Sequence, residues 1–442
     1  MNNKRKKSLL ARAVATGLLA ATAVPVAAAA NMQQRVEMLE RELATLKSEL
    51  QKKEEVQQAK GVELKKGTRF QFGGYIKADV MWNDYSDGTR SAATVGDDFL
   101  VPSVIPTGDG RGSYDTVMDS HVKHSRMWFK TNTATSAGDV MSYVEVDFNS
   151  GGTDERLTNQ APSGLRHAFL KWSYAADASL LAGQTWSTFF NVGALPETVD
   201  FIGPTSGTLF IRQAQVRWTK GLGNGGSLML AAENPSTSLY AGGGIVGMSN
   251  GQPIYATDND YDDSAVPDLI ARYDGKAGNL SYSVAGVMRE LSYAEGSLED
   301  DETGLALSVA GTYAFDNGDD LKFMLSHGNL GRYIALNAFR DGAITADGDI
   351  ALGDVTGGFI AYRHHWNEKL RSTISYAAST ADNPIAAGQG VNETVSNTNI
   401  NLIYSPTKSL SFGAEYFVAD RELESGVDGD LKRLQIMGKW AF

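Results

Sequence analysis

Seven basic residues occupy the polar positions of stretches that alternate apolar and polar side chains. Lys77 lies between Ile76 and Ala78, Arg217 between Val216 and Trp218, Arg272 between Ala271 and Tyr273, and Arg371 between Leu370 and Ser372. Arg126 precedes Met127, Arg289 follows Met288 and Arg433 precedes Leu434. Side chains along a strand point alternately to its two faces, so each cation is directed away from its apolar neighbours. Where such an apolar face meets lipid, a charge on it costs a few kcal/mol at mid-membrane, and the basic residues belong on the enclosed side. Enclosed Arg and Lys favour anions, and a guanidinium can grip a carboxylate with two parallel bonds. The same polar faces carry Asp79, Glu145 and Asp147. The cations can therefore pair with wall carboxylates, recruit anionic solutes, or do both, and alternation alone ranks none of them first.

Other chemistry is poorly supported. GMSNG at 247–251 matches the nucleophile pattern G-x-S-x-G, but that elbow needs a strand before it and a helix after it, and here it sits in the glycine-rich run AGGGIVGMSNGQP. With no cysteine, thiol catalysis, disulfides and cysteine metal sites are all excluded. His121 and His124, three apart on a strand, are expected on opposite faces and unable to share a metal ion. His364 and His365 are adjacent and read the same way, while His167 and His327 have no evident partner. The acidic groups at 258–263 and 299–302 lack the spacing of a calcium loop and read as solvated faces. No catalytic residue, metal site, cofactor or nucleic-acid partner is expected, and the chain does not read as an enzyme.

What positions the basic residues is a long series of strands. From Thr68 onward a period of two recurs in sixteen segments, from Thr68–Asn83 to Asp430–Phe442. Their connections alternate in length without exception. The long ones include 84–120, 189–207, 292–303 and 421–429, and the short ones include 134–138, 367–368 and 405–408. Tight turns at one end and large loops at the other are the mark of an outer-membrane barrel, whereas a soluble propeller or sandwich has no reason to sort loops by parity. The fold class expected is an all-β transmembrane β-barrel of about 16 antiparallel strands. The final strand, LQIMGKWAF, places Trp440 and Phe442 on the lipid side at the rim and closes against the first strand.

Residues 1–30 join a basic head (Lys4, Arg5, Lys6, Lys7, Arg12) to an apolar run and small residues, as a secretory signal peptide does. Its removal takes the net charge from −12 to −17. Residues 31–60 carry a heptad seam of Met32, Val36, Leu39, Leu43, Leu46 and Leu50, read as a short self-associating α-helical coiled coil in the periplasm; the seam does not distinguish dimer from trimer. Residues 61–442 form the barrel. Its long loops hold twenty-eight acidic and six basic residues, so an acidic chain has a mildly basic body. The loop STFFNVGALPETVDFIGPTSG is instead apolar and aromatic, and is expected to fold into the barrel and narrow it, bringing Glu197 and Asp200 to the basic wall.

The stretches KKGTRFQFGGYIKADVMW, HSRMWFKT, SYVEVDF, LRHAFLKWSY, LLAGQTWSTFF and RQAQVRW, with a terminal WAF, follow one another in an order that resembles the DcaP-like outer-membrane porins. The resemblance covers nearly the whole mature chain. It implies a homotrimer, held by the coiled coil and by the barrel walls, in outer-membrane lipid and lipopolysaccharide. It also implies passage of dicarboxylic acids and other small anions. No binding residue is carried over from it, so the seven basic positions rest on alternation. The leading expectation is a passive diffusion channel for small anionic solutes in the bacterial outer membrane. The alternative is a tether or adhesin that works through the coil and the acidic loops.

Overall fold

The computed structural model describes residues 62–442 apart from 66, 89–94, 109–115, 150–160, 224, 242–244, 250–251, 256–259, 262 and 296. The expected signal peptide and the seam from Met32 to Leu50 lie outside the described residues. The chain divides after Val62, and the unit that follows, Glu63–Phe442, is one closed sheet with its loops.

Sixteen strand positions form the wall. In chain order they are Thr68–Tyr85; a second position in two pieces, Val117–His121 and Arg126–Thr135; Gly138–Asp147; Gly164–Ala175; Ala178–Trp186; Arg212–Gly221; Ser227–Glu233; Asp268–Ala277; Leu280–Glu295; Leu298–Ala314; Asp320–Gly328; Asp354–His365; Leu370–Asp382; Asn392–Tyr404; Leu410–Leu423; and Asp428–Ala441. The last pairs antiparallel with the first, Tyr75 opposite Ala441 through Tyr85 opposite Leu431. Phe442 extends the seam: its N–H donates to the Gly74 carbonyl at 3.1 Å and its carbonyl accepts from the Gly74 N–H at 3.3 Å. Closure leaves no unpaired edge, which a lipid environment requires because it offers backbone groups no partner.

The burial pattern inverts that of a soluble protein. Phe72, Leu305 and Leu307 are 62%, 62% and 65% exposed, whereas Glu415 and Arg433 are 1% and 0% exposed. Apolar side chains face outward and charged ones inward, the arrangement of a barrel in a bilayer. Trp440 and Phe442 lie on the outward face.

Two long connections differ from expectation. The residues 292–303 are not a loop: the ninth and tenth strands pair out to Glu295 opposite Leu298, so Glu299, Asp300, Asp301 and Glu302 are strand residues. Likewise Leu410–Leu423 and Asp428–Ala441 leave only 424–427 between them. Both extensions are polar on the outward face, at Ser292, Glu299 and Asp301 and at Asp420, Glu422 and Asp430, so the apolar alternation that reveals a lipid-facing strand is missing there. The fourth and sixth connections also contain strands. Thr237–Ala241 runs parallel to Gly342–Ile344 and antiparallel to Asp260–Tyr261.

The interior is unevenly filled. Phe189, Phe190 and Leu209 from the third long connection and Leu330, Ile334 and Phe339 from the sixth pack with Ala231, Ile270, Val287, Ala306, Phe359 and Ala377 of the wall. One glycine pair seats this plug: a methyl on Gly207 would lie 1.9 Å from the Gly358 carbonyl oxygen. The opposite arc of the wall keeps its charged inner face.

Candidate functional site

The charged arc begins with the first four strands. Lys77 donates to Asp79 Oδ1 at 2.8 Å, and Gln435 on the last strand donates to the same oxygen at 2.8 Å. Arg166 straddles two carboxylates, with Nε 2.8 Å from Glu145 Oε1 and Nη1 2.6 Å from Asp147 Oδ2. Arg126 meets Glu145 only at 3.4 Å and lies over the Tyr75 ring at 5.4 Å. Lys439 lies over the same ring at 5.5 Å and makes no ion pair among the described residues. Arg212 stacks over Trp186 at 5.1 Å. The buried Arg126 Nε and Arg212 Nη1 have no hydrogen-bond partner among the described residues. Each of these carboxylates is held by a wall group, and Arg126, Arg212 and Lys439 are the more weakly paired cations of the arc.

The third long connection, between Trp186 and Arg212, crosses to this arc. The backbone N–H groups of Val199 and Asp200 donate to the two oxygens of Glu415 at 2.9 and 3.2 Å, and Lys77 donates to the Val199 carbonyl at 2.8 Å. Lys322 donates to the Leu195 carbonyl at 2.7 Å. A methyl on Gly413 would meet Val199 Cγ2 at 2.8 Å, so glycine is what lets the segment lie against the wall here. Glu197 receives both arms of Arg371, at 2.6 and 2.5 Å, and Arg363 approaches to 3.4 Å. Burial pushes the Glu197 carboxyl up, but the Arg371 bonds and the charges of Arg371 and Arg363 outweigh it and hold the group below its ordinary value. Asp200 is turned inward on its own loops, accepting from the N–H groups of Leu100, Ile202 and Gly203, each at 3.1 Å.

The remaining cations read from alternation have different surroundings. Arg289, 1% exposed, grips Asp341, donates to Asn329 at 3.2 Å and lies over the Tyr333 ring at 5.1 Å. Arg433 donates to Asn83 and to the Gly96 carbonyl. Arg272 holds Asp274 at 2.6 Å and the Phe190 carbonyl at 2.8 Å. These three fasten loops or neighbouring strand groups rather than presenting open guanidinium faces. Arg217 is half-buried between Leu181 and Ala231 and enters no ion pair among the described residues.

Two chambers lie along the arc. One of about 290 Å³ is lined by Tyr75, Lys77, Arg126, Arg166, Glu197 and Lys439, among others. The second, about 300 Å³, includes Asp147, Arg166 and Arg212. Arg166, Phe201 and Phe210 border both. Arg166, Arg212 and Lys439 were not singled out by the sequence reading, although alternation holds at two of them: Arg166 follows outward Leu165, and Lys439 precedes outward Trp440. Arg212 stands at a strand start where the pattern is short. A wider apolar groove of about 910 Å³, bordered by Leu230, Leu269, Met288 and Leu305, is lined in part by outward side chains.

The histidine reading requires correction. The second strand position is broken between His121 and Arg126, so the period of two does not carry across. His121 and His124 come to one side, with ring centroids 4.5 Å apart and Asp79 beside them. His364 and His365 both approach Asp319, at 2.9 and 3.8 Å, because the strand ends there. His167 and His327 meet Thr185 and Thr356 at 3.0 and 2.8 Å. Ser249 ends a strand, Ile245–Ser249, paired with Gln252–Tyr255, so no helix follows it as an elbow would need.

A family model described as DcaP outer membrane protein matches residues 26–442. No curated protein matches the chain. Among solved structures, the outer membrane channel DcaP of Acinetobacter baumannii is similar at 24% identity over 86% of this chain and 99% of its own, with a TM-score of 0.69. The anion-selective porin from Comamonas acidovorans is similar at 10% identity, covering 85% and 100%, with a TM-score of 0.51. The trimer form of OmpT from Vibrio cholerae gives 10% identity, 85% and 100% coverage and a TM-score of 0.52.

Proposed function

The chain belongs to the DcaP outer membrane protein family, and from that premise we propose that it is a passive channel for small anionic solutes, dicarboxylates among them. Its fold is that of an outer-membrane porin. The observation that carries the anionic reading is the imbalance on the charged arc. Asp79, Glu145 and Asp147 are each held by wall groups, while Arg126, Arg212 and Lys439 line the two chambers with no carboxylate closer than the 3.4 Å from Arg126 to Glu145 among the described residues. A solute carboxylate passing them gains charge-assisted bonds without first displacing a protein anion. Two carboxylates on one small molecule can engage successive cations along the arc. The segment 189–207 narrows the passage, with Glu197 setting how much of Arg371 and Arg363 a solute meets.

The homotrimer, the periplasmic coiled coil at 31–60 and the exported leader belong to the same reading. They are supported by the heptad seam and by the trimer form of a structural neighbour. The test is single-channel conductance of the purified protein in asymmetric salt, with and without succinate. Three-step closures, anion preference and succinate blockade are expected. A cation-preferring reversal potential overturns the anionic reading, and a barrel without conductance favours the tether or adhesin.

A further inference from the structure

The break in the second strand creates a group that the channel reading does not use. Asp79, His121 and His124 each offer one ligand atom, and these atoms all lie within 4.8 Å of one another. The three side chains are buried, at 0% exposure for Asp79, 6% for His121 and 1% for His124. His121 Nδ1 and His124 Nε2 are also buried without a hydrogen-bond partner among the described residues, and Asp79 Oδ2 meets only His124 Nδ1, at 3.2 Å. Buried polar atoms are nearly always satisfied, so two free ring nitrogens beside a buried carboxylate call for an occupant.

We propose that Asp79, His121 and His124 form a site for a divalent transition-metal ion of the zinc class. Two imidazoles and one carboxylate form a three-protein-ligand set of the kind zinc takes, and the fourth position is left for water. Bonds of about 2.0–2.1 Å to a tetrahedral ion put ligand atoms about 3.3 Å apart, so the three side chains close slightly on the ion. Surrounding groups already orient the ligands. His121 Nε2 lies 2.9 Å from the Asp98 carbonyl, which leaves Nδ1 as the lone-pair atom. Asp79 Oδ1 is held by Lys77 and Gln435, and the His124 ring stacks on Phe201 with centroids 4.8 Å apart. Charges near the site are Lys77, whose Nζ lies 2.8 Å from Asp79 and 3.4 Å from His124 Nδ1, and Asp98, which is paired with Lys123 at 2.7 Å. Lys77 works against a bound cation.

An ion here would join the first strand, the break in the second and the two loops packed over His124 through Phe99 and Phe201. The test is calorimetric titration of the chelator-stripped, detergent-solubilised full-length protein with Zn²⁺. One ion per chain is expected, weakened at least tenfold in His121→Gln and in His124→Gln, and tightened in Lys77→Met, which removes the opposing charge. His121→Gln keeps the experiment interpretable if the deeper substitutions disturb assembly. Cu²⁺ paramagnetic resonance on the unmodified protein should show two nitrogen ligands. No Zn²⁺ uptake overturns the site, as does uptake undiminished in His121→Gln or with fewer than two nitrogens, which places the ion elsewhere.

Discussion

Glu197 occupies Arg371, a cation that otherwise adds to the charged arc, and approaches Arg363, whose closer partner is Asp320. In Glu197→Gln the anion-to-cation permeability ratio is expected to rise by about two- to fivefold, the scale of one unit charge acting across roughly 8 Å of water. Reversal potentials in asymmetric salt measure it. Because Arg371 and Arg363 hold the Glu197 carboxyl below its ordinary value, its charge persists as pH falls through the usual carboxylate range of about 4. The anion preference is therefore expected to hold as pH falls through that range and to rise only below it, where Glu197 takes up a proton. Paired Arg126→Ala and Lys439→Ala changes should move the ratio the other way, since Lys439 enters no ion pair among the described residues and Arg126 reaches Glu145 only at 3.4 Å. Alternation made Lys77 and Arg126 legible as inward residues and could equally have supplied Arg166 and Lys439. What it could not supply is a partner, because pairing across sixteen strands depends on register and on which loop arrives opposite. Arg289 and Arg433 show the difference: the same pattern in sequence, but fully covered guanidinium groups in the fold.

At the level of elements, the plug rests on contacts that leave no spare volume. Gly207→Ala places a methyl against the Gly358 carbonyl and should destabilise the seat of the inward segment by about 1–3 kcal/mol. Increased conductance with more frequent substate flicker would report it. Arg289→Ala leaves Asp341 buried without its bidentate partner, a loss of about 3–5 kcal/mol, seen as a lower temperature for loss of the detergent-resistant folded form. All sixteen strand positions were legible because lipid on one side and water on the other impose a strict period of two. Where the outward side turns polar the signal vanishes, and the ninth and tenth strands run past the expected loop at 292–303. The break at 122–125 was hidden for a related reason: His121–Thr133 alternates well enough to pass for one strand, and only its pairing with the first strand, Asp79 opposite His121 and then Tyr75 opposite Arg126, reveals the slip.

For the whole molecule, closure through Gly74 and Phe442 means the terminal residues are structural. Deleting 440–442 should expose the first strand as an open edge and reduce the yield of assembled barrel, measured by the heat-shifted band in unboiled electrophoresis. A wall of sixteen strands also overstates the bore. The plug of Phe189, Leu209, Leu330 and Phe339 fills one side, so open conductance should fall well below that of an unobstructed barrel of equal circumference. The acidic strand ends at 299–302 stand at the mouth of the long loops, while the cations line the interior behind them. Opposite fixed charges placed in series along a narrow conductor favour one direction of current over the other. A membrane holding molecules inserted the same way round should therefore rectify, and the polarity of that diode reveals which chamber the loops face.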